Sequence, residues 1–253
     1  MIVKRYAFTD DLAAIRAIWS AAFPEDTADD RDRFLRTVRL SEECLVAAED
    51  GVPVSMVFTL PVTYGERRLQ YIYAAATLPS HRGRGIFGDL LQTALTQARK
   101  QGYAASFLRP AEPSLVTYYA RFGYRPWRGC HTVSGESQAA GERVTVLSPD
   151  AFVQRRAALL PRDAVVWEPR FAAYAAECGT ALGTESAVAL CHTQDGTLYI
   201  KELLGDADPA ALSAAVGCDR FVWRQAGGDE PFMLWLPFET MSEAAPYVGL
   251  ALD

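Results

Sequence analysis

The sequence has few of the residues that build metal sites and disulfide frameworks. It contains only three histidines and five cysteines. The cysteines are scattered, odd in number and never spaced as a C-x-x-C pair. We therefore expect neither a metal site nor a disulfide framework, and a reducing cytoplasm suits this cysteine usage best.

Long apolar runs and an excess of positive charge are also missing. The N-terminal residues lack the apolar core of a signal peptide, and no uncharged apolar run approaches the ~20 residues that span a bilayer. The 25 basic residues are outnumbered by 31 acidic ones, which gives a net charge of −6. This balance argues against nucleic acid and membrane partners and is compatible with a cationic small-molecule or peptide substrate.

The composition is that of a folded protein, with 50% hydrophobic and 22% charged residues. Strand and helix patterns alternate over residues 1–147 and predict a first domain of the α+β class. After Ser148-Pro149-Asp150 we expect a second, smaller α+β domain over residues 148–253. Length alone does not choose between one large domain and two modest ones.

Residues 82–88 form a glycine-rich loop between a predicted strand, Leu69–Thr77, and a helix predicted from about Gly85 to Gln101. Small residues let the backbone approach a diphosphate, and the free amides of a helix N-terminus donate to its oxygens. Arg82 and Arg84 can add charge-assisted hydrogen bonds. The plainer alternative is a glycine-rich helix start with two solvated arginines.

The spacing of Gly83, Gly85 and Gly88 also fits the GxGxxG fingerprint of dinucleotide-binding proteins. That fingerprint needs a tight junction between strand and first glycine, whereas Leu78–Arg82 intervenes here. It also needs an acidic residue to hold the ribose, and the next strand, Tyr103–Leu108, has none. A nicotinamide oxidoreductase is therefore a disfavoured alternative.

The run from Ala75 to Gly88 resembles motif A of the GNAT superfamily, the acetyl-CoA-dependent N-acetyltransferases. About forty residues later, Leu115–Tyr124 resembles motif B of the same superfamily. The resemblance extends over residues 1–147 and implies a mixed central sheet flanked by helices. It further implies acetyl transfer from acetyl-CoA to a primary amine, by direct attack of the amine on the thioester. Two positions depart from the family pattern: Phe87 replaces a small residue, and Glu112 replaces an asparagine.

The same resemblance implies particular site residues. It places the general acid at Tyr119, four residues before Gly123, with the neighbouring Tyr118 as a lesser candidate. A tyrosine of the hydrophobic core is the alternative for both. The residues implied to bind the cofactor, as the pantetheine strand and the diphosphate loop, are Ala75, Ala76, Thr77, Arg82, Gly83, Arg84, Gly85, Ile86, Phe87 and Gly88.

The acceptor side is less defined. Glu25 and Asp26 lie in the predicted loop between the first two helices, where they could attract a cationic amine, although a solvated acidic turn explains them too. Tyr73 could line the acceptor pocket or simply pack across strands. His81 is expected at the surface, and no residue is nominated as the general base.

Three questions stay open at this level. The strand–helix–strand order of the second domain fits either a degenerate GNAT-like half or an unrelated α+β cap, and Gly205–Pro209 carries two acids where a phosphate loop would need donors. A catalytically silent acyl-CoA-binding sensor is the alternative to an enzyme. The oligomeric state is undetermined, with a homo-oligomer among the options.

Overall fold

Residues 1–138, 143–241 and 247–252 are described by a computed structural model of the chain. They form two units: the first comprises Met1–Arg125 and Leu234–Glu243, and the second Pro126–Met233 and Ala244–Asp253. Each unit is thus built from two separate segments, whereas the sequence suggested a single division after Leu147. None of the described helices is long and apolar enough to cross a membrane.

The first unit alternates strands and helices, with single 3₁₀ turns at Thr9–Asp11 and Pro79–His81. Its elements are β1 (Ile2–Tyr6), α1 (Leu12–Ala22), α2 (Ala28–Thr37), α3 (Leu40–Glu43), β2 (Cys44–Glu49), β3 (Val52–Tyr64), β4 (Arg67–Thr77), α4 (Ile86–Lys100), β5 (Ala105–Leu108) and α5 (Ser114–Ala120).

The sheet of the first unit is mixed. β1 to β4 pair antiparallel in chain order, and β5 then pairs parallel with β4. The outer edge of β5 pairs antiparallel with Leu234–Pro237, the last part of a late strand. The β2–β3 turn contains Asp50 and Gly51, both at positive φ, as the Asp-Gly pair predicts.

Helix α4 supports this sheet through one apolar stripe. Its residues Ile86, Leu90, Leu91 and Leu95 are buried, and they pack in one cluster with residues of β2 to β5. The observed helix begins and ends within one residue of the prediction, because its apolar period and its flanking glycines agree.

The second unit is also α+β. Its elements are β6 (Arg125–Glu136), β7 (Thr145–Val146), α6 (Pro149–Leu159), β8 (Val166–Trp167), α7 (Pro169–Cys178), β9 (Thr180–Gly183), β10 (Ala187–Gln194), β11 (Thr197–Gly205), α8 (Pro209–Ala215), β12 (Arg220–Ala226) and β13 (Glu230–Pro237). The strand order is β6-β12-β11-β10-β9-β7, in which only β11 and β12 run parallel. The final residues of β13 are those that belong to the first unit.

A buried ion pair links α6 to β11 in the second unit. Arg156 Nε lies 2.7 Å from Glu202 Oε2, and Arg156 Nη2 lies 3.0 Å from Oε1. The two side chains are 5% and 1% exposed. The hydroxyl of Tyr247 also lies 3.4 Å from Glu202 Oε1. Because both side chains are almost fully buried, each charge depends on its ionic partner rather than on water for compensation.

Glu202→Gln is expected to lower the free energy of unfolding by about 3–5 kcal/mol, because it leaves the Arg156 charge buried without its counter-ion. The measurement is urea unfolding followed by far-UV circular dichroism. Glu185→Gln is the matched control, since Glu185 is an exposed acid of the same unit. Equal effects of the two substitutions would contradict the importance of the pair.

Candidate active site

Strands β4 and β5 separate part-way along their length. Their parallel register runs from Leu69 opposite Ala105 to Ile72 opposite Leu108, where β5 ends. β4 continues to Thr77 with β3 on its other edge. Within the described residues, no strand pairs with the β5-facing edge of β4 beyond Ile72. The peptide groups along this edge are therefore available to a bound extended group.

A β-bulge bends β4 directly after the separation. Two residues of β4, Ala74 and Ala75, stand opposite the single residue Val57 of β3. Ala74 has φ 43°, in the left-handed region that side chains disfavour. The bulge turns the backbone at the point where the predicted pantetheine residues begin. Sequence reasoning missed it, although a run of three small residues was the available signal.

The glycine loop follows β4 and turns into α4. Gly83 and Gly85 both have φ 75°, and no atom lies within 4 Å of where a Cβ would stand at either position. Gly85 is the N-cap of α4, and no side chain accepts a hydrogen bond from the first-turn amides. Ile86 is buried, so its amide rather than its side chain can face a ligand. The loop thus presents free donors with open space before them.

The two loop arginines are both held in place. Arg82 Nε donates to the carbonyl of Thr77 at 3.1 Å, which ties the loop to the end of β4. Arg84 Nη2 lies 2.6 Å from Glu49 Oε1, and His81 Nε2 lies 2.9 Å from Glu49 Oε2. The hydrogen bonds from Arg84 and then from His81 lower the pKa of Glu49 to about 2.

Glu49 is a functional candidate that sequence reasoning missed. It lies at the end of β2, 35 residues from Arg84, and no local pattern relates the two positions. Its carboxylate stays ionised at neutral pH because the lowered pKa lies far below that range. A diphosphate at the loop would compete with this carboxylate for Arg84.

Helix α5 brings both candidate tyrosines beside the start of α4. The ring of Tyr118 stacks on Phe87 with centroids 6.1 Å apart. A Cβ on Gly88 would stand 3.3 Å from Phe122 and 3.9 Å from the Tyr118 hydroxyl. Phe87 and Gly88 therefore have a packing role between the two helices. This role accounts for the departure from the family spacing without invoking a ligand.

Tyr119 is 7% exposed and lies in the core cluster with Ile72, Ile86 and Tyr124. Burial, aided by the nearby Tyr118, raises the pKa of Tyr119 well above its ordinary value. Its phenol is thus protonated at neutral pH and able to donate. Burial likewise raises the pKa of Tyr118.

Two of the three acceptor-side candidates, Asp26 and Tyr73, meet at an aromatic cluster on α1, α2, β3 and β4. Trp19 is its centre, with ring centroids 5.3 Å from Phe34 and 6.1 Å from Tyr73. The indole Nε1 of Trp19 donates to Asp26 Oδ2 at 2.7 Å. Asp26 is therefore held beside the cluster that includes Tyr73, although both Glu25 and Asp26 are exposed on this loop.

The described residues contain no group of three or more His, Cys, Asp or Glu side chains that could hold a metal ion. The loop, by contrast, fits the diphosphate and pantetheine of a coenzyme A thioester. Two glycines leave open space, and among the residues described no side chain caps the first-turn amides and no strand pairs with the adjoining strand edge.

Solved structures of GNAT acetyltransferases share this fold. A GCN5-related N-acetyltransferase from Kribbella flavida is 17% identical with a TM-score of 0.69, and the match covers 93% of this chain and 70% of that one. A probable N-acyltransferase from Enterococcus faecalis is 17% identical with a TM-score of 0.72, and the match covers 94% of this chain and 72% of that one. Eis1 from Mycobacterium abscessus is 16% identical with a TM-score of 0.66, and the match covers 91% of this chain and 67% of that one. The fold is therefore GNAT-like.

Part of the sequence also matches a model of a domain family. Residues 4–127 match the family model described as an acetyltransferase (GNAT) domain. No curated protein matches the sequence. Residues 4–127 thus correspond to a GNAT acetyltransferase domain, which confirms the resemblance drawn from motifs A and B.

The bulge predicts that substitution by glycine changes the free energy of unfolding in opposite directions at Ala74 and Ala75. Ala74→Gly should stabilise the protein by about 0.5–1 kcal/mol, because glycine adopts positive φ without strain. Ala75→Gly should destabilise it by about 0.5–1 kcal/mol, because Ala75 has no positive φ to relieve and glycine only adds backbone freedom to the unfolded chain. Urea unfolding midpoints measure both. Shifts of the same sign would show that the left-handed conformation of Ala74 carries no strain.

Proposed function

We propose that this protein transfers an acetyl group from acetyl-CoA to a primary amine of a small molecule or peptide. The observation that carries the proposal is the turn at Gly83 and Gly85, with open space at both glycines and an uncapped helix start behind it. A solvated helix start would not require two positive-φ glycines, Gly83 and Gly85, beside a strand edge with which no described strand pairs.

The cofactor is assigned to two adjoining surfaces of the first unit. The exposed edge of β4 at Ala75, Ala76 and Thr77 pairs with the pantetheine arm through backbone hydrogen bonds. The amides from Gly83 to Gly88 hold the diphosphate, and Arg82 and Arg84 neutralise its charge. When bound, acetyl-CoA supplies the acetyl group as a thioester.

The chain contributes two polar functions to the chemistry. A backbone amide of the bulged strand donates to the carbonyl oxygen on which charge grows, a contribution worth about 3 kcal/mol in other acyl transfers. The Tyr119 hydroxyl delivers its proton to the departing sulfur. Asp26 attracts the ammonium form of the acceptor towards the aromatic cluster. The ammonium gives up its proton to solvent water, and the neutral amine then attacks the thioester carbon.

The enzymatic proposal is tested by incubating the protein with acetyl-CoA and a broad panel of amines, with thiol release as the readout. Release above background for at least one amine supports the transferase. Coenzyme A binding without release for any amine supports the silent sensor. NADH binding tighter than coenzyme A would favour the oxidoreductase instead.

Tyr119→Phe is expected to lower kcat by about 10²-fold with little change in KM, because it removes a proton donor used only in the chemical step. The control is Tyr118→Phe, which should change kcat by less than about threefold, since its ring packing on Phe87 is kept. The measurement is steady-state thiol release with the best amine. A larger loss in Tyr118→Phe would reassign the acid.

Arg84→Gln is expected to weaken coenzyme A binding by about tenfold, through loss of a charge-assisted hydrogen bond. Glu49→Gln should strengthen it by about two- to fivefold, because Arg84 is released from its carboxylate partner. Calorimetric titration at low salt measures both. Lys100→Gln, at the far end of α4, controls for the change in net charge. Weaker binding in Glu49→Gln would mean that Glu49 positions Arg84 rather than competing for it.

A further inference from the structure

His81 connects the glycine loop to hydrogen bonds that the proposed chemistry does not use. The residue ends the 3₁₀ turn Pro79–His81, directly before the loop. Its Nδ1 lies 2.8 Å from Ser80 Oγ, and its Nε2 lies 2.9 Å from Glu49 Oε2. The side chains of His81 and Glu49 are 19% and 28% exposed. The imidazole is therefore held between two partners and partly shielded from solvent.

Glu49 links this imidazole to Arg84. Its Oε1 accepts from Arg84 Nη2 at 2.6 Å, and its Oε2 accepts from Arg84 Nη1 at 3.4 Å and also faces His81 Nε2. One carboxylate thus contacts two basic side chains. Because it carries a single negative charge, the charge on His81 determines how strongly Glu49 holds Arg84.

The partners of His81 determine where its protons lie. Glu49 is ionised at neutral pH, since hydrogen bonds from Arg84 and His81 hold its pKa at about 2. An ionised carboxylate only accepts, so His81 Nε2 carries a proton and donates it. In the neutral ring, Nδ1 accepts from the Ser80 hydroxyl. In the charged ring, Nδ1 donates to the same oxygen, so His81 can gain a proton without moving.

The other charged groups around Glu49 have partners of their own. Lys4 Nζ of β1 lies 3.7 Å from Asp89 Oδ2 of α4. Asp50, the next residue in the chain, lies 3.4 Å from the N-terminal amine. Arg82 donates to a backbone carbonyl at the end of β4. Among these kinds of group, histidine and an α-amine titrate between about pH 5 and pH 8, so substitution of the histidine isolates its effect.

We propose that His81 is a positioning residue for the cofactor: once protonated, it replaces Arg84 as the ionic partner of Glu49 and so releases Arg84 to the diphosphate. This inference rests on the cofactor site proposed above and adds its pH dependence. With His81 neutral, the three side chains have no net charge, and the diphosphate must displace a carboxylate from Arg84. With His81 charged, they carry a single positive charge, and Glu49 keeps an ionic partner when Arg84 turns to the diphosphate.

The direction of the pH dependence follows from this exchange. Binding of an anion favours the protonated form of His81, so affinity is higher while His81 is charged and falls as the pH rises through its titration. Because the three side chains are partly exposed, we expect a change of about three- to fivefold in Kd. The cofactor is therefore bound more tightly in mildly acidic surroundings.

The test is calorimetric titration of the full chain with dephospho-coenzyme A at about pH 5.5 and about pH 8. This ligand keeps the diphosphate but lacks the 3′-phosphate, so its phosphate groups have the same charge at both pH values. We expect binding about three- to fivefold tighter at the lower pH. His81→Gln keeps a hydrogen-bond donor for Glu49 but cannot be charged. Its affinity should match that of the unsubstituted protein at the higher pH and should not change with pH.

Three further variants separate this effect from simpler explanations. His81→Lys is charged throughout the range, so it should bind tightly at both pH values. Glu49→Gln removes the link to Arg84, so its affinity should not depend on pH although His81 still titrates. His131→Gln is the matched control, since this exposed histidine lies in the second unit, and it should keep the original pH dependence.

The inference is overturned if the unsubstituted protein binds dephospho-coenzyme A equally well at the two pH values. It is also overturned if the pH dependence persists in His81→Gln, or if it persists in Glu49→Gln, which would mean that His81 acts on the diphosphate directly. In each of these cases the cofactor site itself is retained. Absence of binding at both pH values would overturn the cofactor site together with the role of His81.

Discussion

The parallel pairing of β4 with β5 stops after four residue pairs, and the candidate site depends on that interruption. A fully paired β4 would have its backbone groups satisfied by neighbours and would offer nothing to a ligand. Because β5 ends at Leu108 while β4 continues, the same strand is a rigid sheet member at Leu69 and an open edge at Ala75. The glycine loop follows β4 directly, so the position of this strand determines the position of the loop.

The two arginines of the glycine loop make contacts of different kinds. Arg82 is bonded to the backbone of Thr77, whereas Arg84 shares Glu49 with His81. The first arginine therefore fixes the loop to the sheet, and the second is held by an exchangeable ionic contact. Since such exposed contacts contribute little to stability, Arg84 can exchange the Glu49 carboxylate for another anion at little cost in folding free energy.

Sequence reasoning reached the fold of the first unit and the start of α4, because both depend on local patterns. The apolar stripe from Ile86 to Leu95 and the glycines at each end determine the helix, and Asp50-Gly51 determines a turn. The bulge at Ala74 and the contact of Glu49 with Arg84 were out of reach. They arise from strand register and from packing between distant segments, which no local period encodes.

The boundaries of the two units could not be predicted from the sequence either, and the reason is physical. A boundary after Leu147 follows from the loop composition near that point. The contacts instead assign Leu234–Pro237 to the first unit, where these residues pair with β5, and Leu236 lies 3.2 Å from the Cβ position of Gly123. Strand pairing over such sequence separations leaves no compositional trace.

This late strand has a consequence for biosynthesis. The outer edge of β5 stays without its antiparallel partner until the ribosome has synthesised the chain past Pro237. During that interval the nascent first unit exposes a hydrophobic edge able to pair with other chains. A shortened form that stops near residue 147 would lack Leu234–Pro237 and so leave this edge unpaired, which favours association with other chains.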